Sequence, residues 1–258
     1  LLLRRAGLLS DAGYFKLLNK TINQVMQTPG RLIQSVAQAS KDAWIKYYRQ
    51  DENTPNATVS YYTKGALVAL CLDLSLRAQG KATLDAVMRG LWTRCAGGPM
   101  AEADLLAVLQ DLSGRSWAKE IKAWVHSTRE LPLKNLLQAQ GLQVHDDPAQ
   151  MAQRLGLRVS DANGTVTIKA VLRGGAAESA GFAAGDEWLG VDVGARAQGG
   201  SWRLNKLDDL SLVLGSERRA TALLSRDKRL LRLPLVLPQG VTTWRIANAG
   251  RAAGRWPS

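Results

Sequence analysis

The apolar pattern changes period near residue 148, and that change limits how the chain can pack. Before His145-Asp146-Asp147-Pro148 the apolar residues recur at helical spacing, as in Leu18, Ile22, Val25 and Met26. Beyond it they alternate, as in Leu231, Leu233, Leu235 and Leu237 with Arg232, Pro234 and Val236 between them. A period of about 3.6 lays apolar groups along one stripe of a helix, and a period of 2 lays them on one face of a strand. The expectation is an α+β, multidomain chain: an all-α region over 1–147, a β-rich domain over 148–240, and a tail over 241–258. The tail carries Gly, Ala, Arg and two tryptophans, and its packing stays open.

Within the first region, Thr28-Pro29-Gly30 ends the first helix, and Leu32, Ile33, Val36 and Ala37 read as the stripe of a second. The polar run 50–56, with Pro55, reads as a loop. The segment from about Ser60 to Arg77 is apolar on nearly every face, which predicts a central, buried helix. Gly80 suits the turn beyond its end. Thr83 suits the N-cap of a helix carrying Leu84, Val87, Met88 and Leu91. A helix over 104–112 stops at Ser113-Gly114, and Ser116 caps the next, with Trp117, Ile121, Trp124 and Val125 on one face. Leu131-Pro132 breaks it, and a short helix runs to Gly141.

Apolar residues make up 46% of the 258 and charged residues 22%, enough for a packed core, which excludes wholesale disorder. The formal charge of +12 attracts polyanions without selecting among them, and no nucleic-acid reading motif accompanies it, so no specific nucleic-acid partner is expected. The longest apolar run, Ala66 to Leu72, is too short to cross a membrane. Leu1-Leu2-Leu3-Arg4-Arg5 lacks the order of a signal peptide and reads as a start in mid-element, so the chain is expected to be a fragment, and the compartment is left open. Cys71 sits in an apolar run and reads as a small buried hydrophobe; two cysteines make neither a disulfide framework nor a zinc knuckle. Asn56-Ala57-Thr58 and Asn163-Gly164-Thr165 match the glycosylation sequon.

Residues 150–238 resemble a bacterial-type PDZ domain. The resemblance rests on Arg154-Leu155-Gly156-Leu157-Arg158-Val159, on Ala176-Ala177-Glu178-Ser179-Ala180-Gly181-Phe182 and on Ala184-Gly185-Asp186-Glu187-Trp188-Leu189. It implies a peptide C-terminus added as a strand, its carboxylate cradled by the loop Leu155-Gly156-Leu157, with Leu210 and Val213 lining the side-chain pocket. The loop departs from the usual Gly-apolar-Gly-apolar pattern. The same residues would equally form the core of a small β domain that docks on its neighbour and binds no peptide.

Ser60-Tyr61-Tyr62-Thr63-Lys64-Gly65 resembles the Tyr-x-Lys-Gly helix of zinc aminopeptidases. With Pro29-Gly30-Arg31, Asp42-Ala43-Trp44, Tyr48-Arg49, Asp51-Glu52-Asn53, Leu72-Asp73-Leu74 and Glu130-Leu131-Pro132, in order, the chain resembles the glycyl aminopeptidases that end in a PDZ domain. The resemblance implies a thermolysin-like zinc site built from His-Glu-x-x-His and a distant Glu, in which Tyr62 donates its hydroxyl to the developing oxyanion. Its histidines, His126 and His145, lack that context, so no cofactor is expected in this chain; the zinc and its ligands are expected upstream, in a missing N-terminal part of the same protein. The chain alone is then expected to be inactive, its catalytic residue Tyr62 and its partners peptide substrates or peptide C-termini. Gly65 reads as a site of close helix packing. A non-enzymatic adaptor, helical plus PDZ, is the competing reading.

Overall fold

The computed structural model describes residues 2–194 and 200–248. The expected tail over 249–258 therefore lies outside the described residues.

The helical part runs α1 (Leu2–Arg5), α2 (Asp11–Met26), a 3-10 turn (Pro29–Leu32), α3 (Val36–Lys41), a π-helix (Ala43–Tyr47), α4 (Thr54–Ala57), α5 (Tyr61–Ala78), α6 (Leu84–Cys95), α7 (Glu102–Ser113), α8 (Ala118–Trp124) and α9 (Leu133–Ala139). Helix α5 is its centre: Leu67, Cys71, Leu72, Leu74 and Leu76 are buried in one cluster with Ile22, Leu109, Trp117 and Leu137. Each large aliphatic side chain buried this way contributes about 1.5–3 kcal/mol relative to exposure. Asp73 is buried in the same helix because it has work to do: Oδ1 accepts the Leu84 N–H at 2.8 Å at the start of α6, and Oδ2 pairs with Arg77 at 2.9 Å. Thr83 caps α6 by accepting the Ala86 N–H.

Local expectations change at several points; one is the N-cap of α8, which is Trp117 and not Ser116. Leu32 and Ile33 are not on a helical stripe but exposed, because Ser35 starts α3 afresh with a capping box to Gln38. The run 50–56 closes into α4, with Pro55 in its first turn, where a missing N–H costs nothing. A Cβ on Gly65 would meet nothing within 4 Å, so that glycine does not admit a close helix contact.

The β-rich part comprises β1 (Leu142–Pro148), α10 (Met151–Leu155), β2 (Leu157–Ala162), β3 (Thr165–Val171), α11 (Ala176–Ala180), β4 (Glu187–Val193), β5 (Gly200–Arg203), α12 (Asp209–Leu214), β6 (Arg219–Arg226), β7 (Arg229–Val236) and β8 (Thr242–Asn248). An antiparallel sheet runs β2-β3-β4-β6-β7, with β5 also on β4. Asn163 and Gly164 both have positive φ, 54° and 72°, as a two-residue hairpin between β2 and β3 requires. Trp188, Leu155, Ile168, Leu210 and Leu224 are buried in the second cluster beneath this sheet. Asp186 is wholly buried and holds Arg226 through two bonds of 2.6 and 2.8 Å.

Strands β1 and β8 form a separate antiparallel ribbon, Leu142 opposite Asn248 and Pro148 opposite Thr242. Residues 142–147, placed within the all-α region but beyond its last expected helix, are thus a strand, and 242–248 of the expected tail return to the helical part. Asn19 and Asn23, one turn apart on α2, accept the N–H groups of Ile246 and Trp244 at 2.8 Å, and Asn23 donates back to the Trp244 carbonyl. Ile246 is buried in the helical cluster with Leu142. Period-2 alternation is weak over these short polar strands, so the pairing was hidden from sequence.

Candidate functional site

Tyr62 stands on the first turn of α5. Ser60 caps that turn by accepting the Thr63 N–H, and the Tyr47 hydroxyl lies 3.1 Å from the same Ser60 Oγ. Lys64 points the other way, buried, with Nζ donating to the Arg31 carbonyl at 3.3 Å. Arg31 in turn pairs with Glu130 at 2.9 Å. Burial lowers the Lys64 pKa, with Glu130 opposing that shift. The Tyr-x-Lys-Gly segment therefore sends its phenol outward and its ammonium inward, where it fastens the 3-10 turn beneath the site.

The backbone under that turn is tightly apposed. A Cβ on Gly30 would come within 2.1 Å of the Thr58 carbonyl oxygen, so only glycine fits there. Thr58 donates to Gln34, and Gln34 donates to Asp42 at 2.8 Å. Asp42 immediately precedes the π-helix Ala43–Tyr47. One polar chain thus runs from the start of α5 to the π-helix, and the two arrive at a set register.

That register gathers an aromatic group. The Tyr48 hydroxyl lies 3.0 Å from that of Tyr61 and 3.1 Å from that of Tyr62. The Trp44 ring lies 5.0 Å from the Tyr48 ring, and the Tyr61 and Tyr62 rings are 4.3 Å apart. Tyr62 is 60% exposed, and Trp44, Ile45 and Tyr48 are exposed beside it. The bond with Tyr48, then that with Tyr61, lowers the Tyr62 pKa below the usual phenol value, because both stabilise its phenolate. The same contacts, Tyr48 first, raise that of Tyr61. Chemically the arrangement is an exposed hydrogen-bond donor of strengthened acidity on a rigid helix end. The sequence motif points to Tyr62; it does not announce the contact from Tyr48, whose side chain arrives from fourteen residues away by way of a π-turn.

The residues expected to bind a peptide lie elsewhere. Leu155, Leu157 and Leu210 are packed in the β-rich cluster, and Val213 is partly buried against it. Gly156, at φ 71°, ends α10 and borders an open cleft of about 1080 Å³ between the two parts of the molecule. Lys20, Arg154, Arg158 and Arg173 line it as well. Tyr62 does not border it. Two contacts join the parts nearby. Asn56, buried, donates to the Val171 carbonyl at 2.8 Å and accepts the Arg173 N–H at 2.9 Å, and Arg158 donates to Thr28 at 3.1 Å. With both ends of its amide engaged, Asn56 offers no nitrogen for a glycan. Among the described residues strand β2 pairs with β3 alone, so its other edge carries no strand.

Among the described residues no three His, Cys, Asp or Glu side chains come together to hold a metal. His126 pairs with Glu102 at 2.5 Å on the surface, and His145 lies in β1 opposite Arg245. No described helix is long and apolar enough to cross a membrane.

Residues 1–68 match the M61 glycyl aminopeptidase family. Over 96% of its length the chain is similar to the crystal structure of an aminopeptidase N family protein from Idiomarina loihiensis, with 28% identity and a TM-score of 0.84. It spans 44% of that protein's length. A peptide complex of the PDZ domain of a carboxy-terminal protease from Vibrio cholerae also matches, at 14% identity and a TM-score of 0.26, covering 41% of this chain and 99% of that one. No curated protein matches. By the first two findings the chain resembles the C-terminal region of an M61 glycyl aminopeptidase.

Proposed function

We propose that the chain serves a peptidase of the glycyl aminopeptidase kind, releasing small N-terminal residues from peptides, and that Tyr62 donates a hydrogen bond to the oxyanion that forms on the scissile carbonyl. One observation carries this reading: within the segment that matches the family, the Tyr62 phenol stands exposed at a capped helix end, with Tyr48 bound to its oxygen. A donor aimed at developing charge is worth about a hundredfold or more in turnover. The described residues do not fit the zinc that the resemblance implies. In this reading the metal belongs to residues outside this chain, and the chain by itself hydrolyses nothing.

The test is Tyr62→Phe in the complete protein, assayed on a glycyl substrate. Turnover should fall by about a hundredfold or more with KM and metal content held. An unchanged rate returns Tyr62 to a packing role. Hydrolysis by the isolated 258-residue chain supplied with zinc would overturn the claim that it is inactive alone.

The β2 edge that no described strand pairs, with the cationic cleft at its start, favours a second reading, in which an extended peptide adds to that edge by main-chain hydrogen bonds. Fluorescence anisotropy with labelled peptides tests it. Preference for a free over an amidated C-terminus supports carboxylate capture; equal or absent binding rejects it.

A further inference from the structure

We propose that Tyr48 is a positioning residue for Tyr62: its hydroxyl ties those of Tyr61 and Tyr62 into one hydrogen-bonded relay and so sets the direction in which Tyr62 donates. This rests on the role given to Tyr62 under Proposed function and extends it to a residue outside the Tyr-x-Lys-Gly motif.

The geometry starts with the π-helix. On an α-helix, neighbouring side chains point about 100° apart. Here the Tyr48 N–H reaches back five residues to the Ala43 carbonyl at 2.9 Å, and the wider turn lets two consecutive tyrosines address the start of α5. Tyr47 meets Ser60, and Tyr48 meets Tyr61 and Tyr62. Trp44 packs on the Tyr48 ring and Tyr47 edges against it at 5.6 Å, so the ring that delivers the hydroxyl is held from two sides. Single-turn π segments are frequent at functional sites.

Counting protons fixes the order of the relay. Each of the three hydroxyls carries one proton. If Tyr62 donates outward to an oxyanion, it has none left for Tyr48, so the bond between them has Tyr48 as donor. Tyr48, its own proton spent, then accepts from Tyr61. The chain Tyr61 to Tyr48 to Tyr62 leaves the Tyr62 lone pair occupied and its proton directed away from the aromatic group. Each bond in such a chain polarises the next. Among the described residues, the ionisable side chains set against Tyr62 include Tyr47 and Tyr48 from the π-helical segment and Tyr61 on its own helix. The lowered pKa of Tyr62 and the raised one of Tyr61 agree with this order.

Tyr48→Phe keeps the ring and removes the hydroxyl, and its half-exposed position tolerates the change. In the complete protein it should lower kcat about three- to tenfold, the rate equivalent of one neutral hydrogen bond, and leave KM unchanged. In the 258-residue chain, with tyrosine labelled at Cζ, the Tyr62 resonance is identified by its loss in Tyr62→Phe. Its titration midpoint should lie below the usual phenol range and move upward in Tyr48→Phe. A midpoint that does not move overturns the relay, whatever the rates. A midpoint that moves, with Tyr62→Phe crippling turnover and Tyr48→Phe leaving it untouched, overturns the positioning role. If Tyr62→Phe itself leaves turnover unchanged, the functional reading fails and the positioning role falls with it, while the midpoint still separates that failure from a failure of the relay.

Discussion

Arg226→Ala should damage the β-rich domain more than Asp186→Ala, although the two residues form one pair. The asymmetry comes from burial: the Asp186 side chain is wholly inaccessible, whereas Arg226 keeps 34% of its side-chain surface. The carboxylate receives Arg226 Nε at 2.6 Å, Nη2 at 2.8 Å and the Ala183 N–H at 2.8 Å. Removing the guanidinium leaves a buried charge with one backbone donor, a loss of about 3–5 kcal/mol. Removing the carboxylate leaves the Ala183 amide unpaired, about 1–3 kcal/mol, while Arg226 turns to water and keeps its bond to the Gly181 carbonyl. The double variant should be no worse than Arg226→Ala alone, because it no longer strands a charge. Urea unfolding read by hydrogen exchange in the β6–β7 ladder isolates this domain from the helices. If Asp186→Ala proves the costlier change, or if the two losses simply add, the reasoning from a stranded charge is wrong.

Gly30→Ala forces a methyl onto the Thr58 carbonyl and should cost about 1–3 kcal/mol of overpacking, seen as a lower Tm of the helical part. Asn56→Ala removes two bonds between the parts and strands their partners. It should raise the exchange of the Arg173 amide without changing that of the α5 interior. Asn23→Ala should free β8 from α2, raising exchange at the Trp244 amide first. Burial pushes the Cys71 thiol up to about 12, so at pH 8 it stays protonated; a thiol reagent should label only the partly exposed Cys95 in the native chain and both in urea. Rapid labelling of Cys71 in the folded protein would contradict its placement.

The parts legible in the sequence were those in which a residue's own conformational preference decides the outcome. Asn163-Gly164 and Gly181 have the positive φ that their turns demand, and Thr83 caps the helix it precedes. The apolar density of α5 announced its burial, since nothing else could cover so many faces. What was hidden depended on partners far along the chain. Asn19 and Asn23 look like an ordinary polar face of α2 until β8 arrives more than two hundred residues later. Nothing in the sequence gives Asp73 a reason to be buried until the start of α6 is placed over it. Leu32 and Ile33 imitate a helical stripe, but a capping box three residues on outweighs two apolar side chains. At the candidate site the motif around Tyr62 was legible, and the π-turn that brings Tyr48 to it was not, because no local propensity marks where a helix widens.

The ribbon of β1 and β8 also sets an order of events during synthesis. Leu142 and Ile246 share one buried cluster, yet about a hundred residues separate them, and a ribosome adding about 5–20 residues per second needs roughly 5–20 s to cover that distance. Throughout that interval the seat for Ile246 lies open and the amides of Asn19 and Asn23 have only water to bind. The β-rich domain, made entirely within the interval, can close on its own cluster first. The helical part, begun earliest, is therefore the last to be completed, and a nascent chain halted before Trp244 would present the face of α2 that β8 covers.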